Sequence, residues 1–145
     1  MNIRQATLTD LDQLSILFAP YRMFYEQPFE TDKAKQFLEE RLSEEESIIF
    51  IAIERGQQAG FTQLYPSFSS VGMTKIWILN DLFVSNDHRQ KGIAQDLINH
   101  VIEFSKTTVR KKVVLSTAYD NWNAQKLYEK LGFTRSDFYN YEIAV

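Results

Sequence analysis

The chain has no cysteine, three prolines, five glycines and two histidines in 145 residues, and each shortage removes a class of protein. Without thiols there is no disulfide framework, no zinc-thiolate site and no cysteine nucleophile, a composition in keeping with the cytoplasm. His88 and His100 stand apart from any close group of carboxylates, so a built-in metal is not expected. No apolar run approaches the ~20 residues that span a bilayer, and Met1 to Gln5 has no basic patch leading into an apolar segment. Neither a membrane partner nor an export signal is therefore expected. Positive charge is in deficit too: 16 lysines and arginines against 19 aspartates and glutamates leave −3, which argues against nucleic acid as a partner.

What is present is a chain 44% hydrophobic and 14% aromatic, without repeats, low-complexity tracts or linkers. At this length one domain buries roughly 70% of its unfolded surface, so a single domain over residues 1–145 is expected. Ile3 to Ala6 reads as a short strand. Thr9 with Asp12 resembles a capping box opening a helix, whose inner face is Leu11, Leu14, Leu17, Phe18 and Tyr21 and which Pro20 ends or bends. Thr31 caps a second helix with the stripe Ala34, Phe37, Leu38 and Leu42, and Glu44 to Glu46 marks its exit.

Ile48 to Ile53 is apolar and β-branched, as suits a strand covered on both faces, and Gly60 to Tyr65 returns beside it as a hairpin. Pro66 to Gly72 reads as a loop. Thr74 to Val84 is the longest strand candidate, interrupted by Asn80 and Asp81. Polar residues there point to a bulge or a functional site, because an unpaired buried carboxylate is costly. Ala94, Leu97, Ile98, Val101 and Ile102 fall at helical spacing, and Val113 to Thr117 is a short strand. Asn121 to Leu131 forms a further helix that Gly132 ends in left-handed geometry, and Phe138 to Ile143 closes as a strand. The order β-α-α-β-β-β-α-β-α-β predicts an α/β (α+β) fold around a mixed sheet.

The segment Val84 to Ala94 runs from a strand through a polar turn into a helix. The first turn of a helix offers unpaired N–H groups and the positive end of its dipole, which suits a phosphate. Gly92 permits close approach of the backbone, Ala94 keeps the helix start uncrowded, and Arg89 and Lys91 add charge. A capped and solvated surface turn has the same ingredients. A P-loop and a three-glycine dinucleotide fingerprint both fail on spacing.

The run Arg89-Gln90-Lys91-Gly92-Ile93-Ala94 resembles the Arg/Gln-x-x-Gly-x-Gly/Ala signature of the GNAT N-acetyltransferases. Asn121-x-x-Ala124-x-x-Leu127-Tyr128-Glu129-Lys130-Leu131-Gly132-Phe133 resembles that family's second signature, and the two stand in the family's order and separation. The resemblance implies a mixed sheet of about six to seven strands with about four helices along nearly the whole chain, and acetyl-CoA as cosubstrate without a metal. It implies that backbone groups of Leu82, Phe83 and Val84 pair with the pantetheine arm. It further implies that amides from Arg89 through Gln90, Lys91, Gly92 and Ile93 to Ala94 hold the pyrophosphate. Asn121 would bond the cofactor arm or brace the gap between diverging strands, and Tyr128 would point its hydroxyl at the thioester sulfur.

Acetyl transfer needs a neutral amine, and a lysine-like amine is only about 1 part in 2,500 neutral at pH 7. Asp81, directly or through an ordered water, is the candidate base; its other reading is a carboxylate capping a bulge. Tyr128 is either the group that assists the departing thiolate or a core aromatic. Tyr21, Phe24, Tyr25 and Phe29 either line an acceptor pocket or pack in the core, and both histidines read as surface residues. The family branch resembled acetylates small amines, amino acids or polyamines, with protein amino groups and a non-catalytic CoA-binding module as the alternatives. The resemblance also implies a homodimer, across which Phe138 to Ile143 could pair or pack.

Overall fold

Apolar alternation organises the sheet before any loop is considered. The computed structural model describes residues 1–145 and sets β1 (Asn2–Gln5), β2 (Ile48–Glu54), β3 (Gln57–Ser69), β4 (Thr74–Val84) and β5 (Val113–Leu115) side by side in that order. The first four pair antiparallel and β5 joins β4 in parallel. A parallel partner requires a crossover, which α3 (Ile93–Lys106) supplies. Helices α1 (Leu11–Phe24) and α2 (Thr31–Ser43) lie between β1 and β2 in the chain, and α4 (Trp122–Lys130) follows β5.

The period of two in β2 divides the core. Ile49 and Ile51 join Leu14, Leu17, Phe18 and Leu38 from α1 and α2, with Phe61 and Phe83. Phe50 and Ala52 face the opposite way and join Leu64, Trp77, Leu79 and the α3 residues Ile93, Leu97, Ile98 and Val101. The continuous apolar run Ile48 to Ile53 is thus covered on both faces, as expected.

Four expectations need correction. The first cap falls two residues early: Asp10 accepts the Thr7 N–H at 2.8 Å and pairs with Arg4 at 2.7 Å, and a short 3-10 turn leads into α1. The Arg4 guanidinium holds the Asp10 carboxyl down at about 2. Pro20 does not end α1, which runs on to Phe24; the hydrogen bond it forfeits belongs to the Ile16 carbonyl, and Ile16 is exposed. Likewise β3 continues through Pro66 to Ser69. Its pairing with β2 stops at Leu64, so the missing proline N–H faces no strand.

The largest correction concerns the end of the chain. Phe138 to Ile143 forms no strand, and the sheet has five strands rather than six or seven. Residues 134–145 are all exposed. Arg135 is held by Gln125 at 3.1 Å and Glu129 at 3.8 Å on α4, and no backbone bond ties the segment to β5. A strand sequence without a neighbouring edge has no ladder to join.

Candidate active site

The site begins where two strands part. β5 meets β4 at Trp77 with Val113, Ile78 with Val114 and Leu79 with Leu115, and no further. From Asn80 to Val84, therefore, β4 keeps β3 on one side and presents an unpaired backbone edge on the other. A bulge sits at the parting point: Gln63 pairs with Asp81 and Leu64 with Leu79, so Asn80 is the extra residue. This is the bulge that the polar pair signalled. Beyond it Phe83 packs toward α1, while Leu82 and Val84 pack on the α3 face.

The bulge turns Asp81 inward, where it is only 4% exposed. Gln63 Nε2 donates to its Oδ2 at 2.6 Å and Asn80 Nδ2 to its Oδ1 at 3.3 Å, with the Tyr21 hydroxyl nearby. Burial nevertheless outweighs these donors and raises the carboxyl above the usual carboxylate range. Burial beside Asp81 in turn pushes the Tyr65 hydroxyl up to about 12 and drives Tyr21 higher still. Gln63 and Tyr21 are site residues that sequence reasoning did not assign to Asp81. The available signal was Thr62-Gln63, two polar residues in an apolar strand, paired with Asp81 and Leu82 across the hairpin.

The turn after β4 carries the second half of the site. Gln90 at φ 62° and Gly92 at φ 77° are both left-handed, and a Cβ added at Gly92 would meet nothing within 4 Å. The first helical bond of α3 runs from the Asp96 N–H to the Gly92 carbonyl at 3.0 Å. None of the backbone N–H groups of Arg89, Gln90, Lys91, Gly92, Ile93, Ala94 and Gln95 donates to a protein acceptor. Seven adjacent free donors at the positive end of a fourteen-residue helix suit a pyrophosphate in number and charge.

The side chains of the turn serve largely to hold it. Ser85 Oγ and His88 Nδ1 are 2.7 Å apart, and Glu54 of β2 lies 3.4 Å from Lys91 Nζ and 3.9 Å from His88 Nε2. Arg89 Nε donates to the Val84 carbonyl at 3.1 Å with its guanidinium over the Phe83 ring. His88 is thus a fastener rather than a free surface residue. His100 packs edge-on against Phe50 at 4.6 Å.

On α4, Asn121 Oδ1 accepts the Ala124 N–H at 3.2 Å and so caps the helix. Tyr128 is half-buried and packs against Phe133; burial, with Tyr25 nearby, raises its hydroxyl. Tyr25 also meets Tyr21 ring to ring at 5.4 Å. Tyr21 of α1 therefore reaches Asp81, and Tyr25, just past the end of that helix, lies near Tyr128. Phe24 and Phe29 are 61% and 58% exposed, which places them outside the core.

A strand that parts from its neighbour at a bulge is followed here by a left-handed turn with free amides, and residues 12–133 match the model of the acetyltransferase (GNAT) family. The chain belongs to that family. It is 44% identical over 133 residues to the uncharacterised N-acetyltransferase YhfO of Bacillus subtilis (strain 168), covering 92% of this chain and 89% of that protein. It is 30% identical over 134 residues to a probable acetyltransferase of Haemophilus influenzae, covering 92% and 90%. Among solved structures, a crystal structure of a probable acetyltransferase superposes with a TM-score of 0.92 at 40% identity, over 100% of this chain and 98% of that one.

Proposed function

We propose that this N-acetyltransferase moves the acetyl group of acetyl-CoA to the primary amine of a small cytoplasmic molecule, such as an amino acid or polyamine, by direct attack in a ternary complex. The observation that carries the reading is the run of seven free amides beside the open edge of β4. The amides from Arg89 to Ala94 take the pyrophosphate, and the backbone of Leu82, Phe83 and Val84 takes the pantetheine arm as an added strand would. That arm leads toward the bulge, with Asp81 on one side and Tyr128 on the other.

Asp81 takes the proton that the attacking amine must lose. Its raised pKa makes it a stronger base than an exposed carboxylate. As nitrogen bonds to the carbonyl carbon and the carbon–sulfur bond breaks, the Tyr128 hydroxyl donates a hydrogen bond to the departing sulfur. Complete transfer of that proton is uphill, because a phenol raised above about 10 is a weaker acid than a thiol near 8.5. Tyr128 therefore stabilises the thiolate, which gains its proton later from solvent. The faces of Tyr21 and Tyr25 and the Asp81 charge favour a compact cationic acceptor.

A peptide acceptor is the second reading, favoured by the exposed rings of Phe24, Tyr25 and Phe29 along one end of α1 and the loop after it. The test is release of free CoA from acetyl-CoA with a panel of amino acids, polyamines, aminoglycosides and peptides. Release with a small amine supports the proposal; release with peptides alone selects the second reading. Binding of CoA without release from any acceptor would reduce the chain to a binding module.

A further inference from the structure

Away from the open edge of β4, toward the start of that strand, lies a cavity that the proposed reaction does not use. It holds about 480 Å³, within the roughly 300–1,000 Å³ of small-molecule sites, and sits among the end of β1, the turn from α2 into β2 and the early part of β4. Arg110, just before β5, forms one part of its wall. Its Nη1 donates to the Ser67 carbonyl at 2.7 Å and the Ile76 carbonyl at 3.2 Å, and its Cζ lies 5.5 Å from the centre of the Phe68 ring and 5.1 Å from that of Trp77. The guanidinium is thus fixed in place. Yet Nε and Nη2 donate to no protein acceptor, and Arg110 takes part in no ion pair.

Glu45 forms another part of the wall and is likewise in no ion pair, so two opposite charges share one cavity without meeting. It stands two residues past α2 at φ 54°, the left-handed position that glycine usually takes, and a carboxylate is kept there at a backbone cost. Ser47 lines the cavity too; it is 7% exposed and its hydroxyl has no partner. Leu42, Ile48, Pro66 and Trp77 supply an apolar wall. We infer that this cavity is a second small-molecule site, which takes a free amino acid with an apolar side chain. The α-carboxylate meets the Nε and Nη2 edge of Arg110, where two N–H groups match two oxygens, and the α-ammonium meets Glu45. An anion alone leaves Glu45 unpaired, and a cation alone leaves Arg110 unpaired; a zwitterion neutralises both at once. The site is separate from the acceptor's. Trp77 is four residues before Asp81 on β4, roughly 10–13 Å at strand spacing, and packs on the α3 face, whereas Phe83 beyond Asp81 packs toward α1.

The inference does not rest on acetyl transfer, and a chain that moves no acetyl group would leave it standing. Indole N–H resonances report on it, because Trp77 lines the cavity while Trp122, 62% exposed at the start of α4, serves as an internal reference. Titration of the full chain with leucine should shift the Trp77 indole saturably and leave Trp122 in place. Two analogues test the charges without altering the protein: 4-methylpentanoate, which lacks the ammonium, and 3-methylbutylamine, which lacks the carboxylate, should each bind about tenfold more weakly than leucine or worse. Glu45→Gly suits the left-handed backbone and so should fold at least as well as the parent. It should bind leucine about tenfold more weakly and 4-methylpentanoate no more weakly than the parent does. A Trp77 indole that leucine leaves unmoved, parental leucine affinity in Glu45→Gly, or equal affinity for leucine and either analogue would each overturn the inference.

Discussion

β2 and β3 pair without interruption from Ile48 with Leu64 to Ala52 with Gly60, and helices cover both faces; β5 holds to β4 only from Trp77 with Val113 to Leu79 with Leu115, and α4 above it has no fully buried residue. The first region carries most of the core, including Leu14, Leu38, Ile49, Ile51 and Phe61, all 0% exposed. The second carries Tyr128, Asn121 and the opening between β4 and β5. Stability and chemistry are thus divided along the sheet. The thin side is where a ligand arm has room to enter, and it gains most from what binds there.

The contrast is broken most directly by truncating one leucine on each side. Leu38→Ala empties a sealed position and should cost about 2–5 kcal/mol in chemical denaturation, whereas Leu127→Ala should cost about 1–2 kcal/mol because its site already borders solvent. Equal losses would mean the two regions share one core. Next in size is Tyr128→Phe, expected to lower turnover about 100-fold while CoA affinity changes less than about twofold. Unchanged turnover would leave Tyr128 a packing residue.

Gly92→Val tests the turn without touching either core. A Cβ there meets nothing within 4 Å, but φ of 77° disfavours a β-branched residue, so the turn should rearrange and CoA affinity should fall about tenfold by calorimetry. The smallest effect on stability is expected from Asp81→Asn. A carboxyl raised by folding contributes stability below its unfolded pKa and loses it as pH rises through its folded pKa. The amide escapes that loss, so the variant should be at least as stable as the parent at pH 7. Its kcat/KM should drop and should lose the acid limb that the parent shows as Asp81 becomes protonated. A parent profile without that limb would remove Asp81 as the base.

The sequence made some parts legible because local chemistry alone decides them. The interruption by Asn80 and Asp81 announced the bulge, and the Gly92 and Asn121 segments announced the turn and the last helix, though not that Asn121 caps it. Other parts depend on tertiary neighbours that no local pattern records. Pro66 reads as the start of a loop until the β2–β3 pairing is seen to stop at Ile48 with Leu64, so that its missing donor matters to no strand. Gln63 becomes a partner of Asp81 only through the hairpin register. Lys91 reads as a phosphate ligand, yet Glu54 from another strand engages its charge. Phe138 to Ile143 has the composition of a strand, but a strand exists only where an edge receives it.

The central claim is that main-chain amides at the start of α3 grip the nucleotide end of CoA. Backbone amide resonances followed during titration with CoA, and separately with pantetheine, test it directly. CoA should shift Arg89 to Gln95 together with Leu82 to Val84, and pantetheine should shift only the latter group. Saturable CoA binding that leaves Arg89 to Gln95 unmoved would contradict the account.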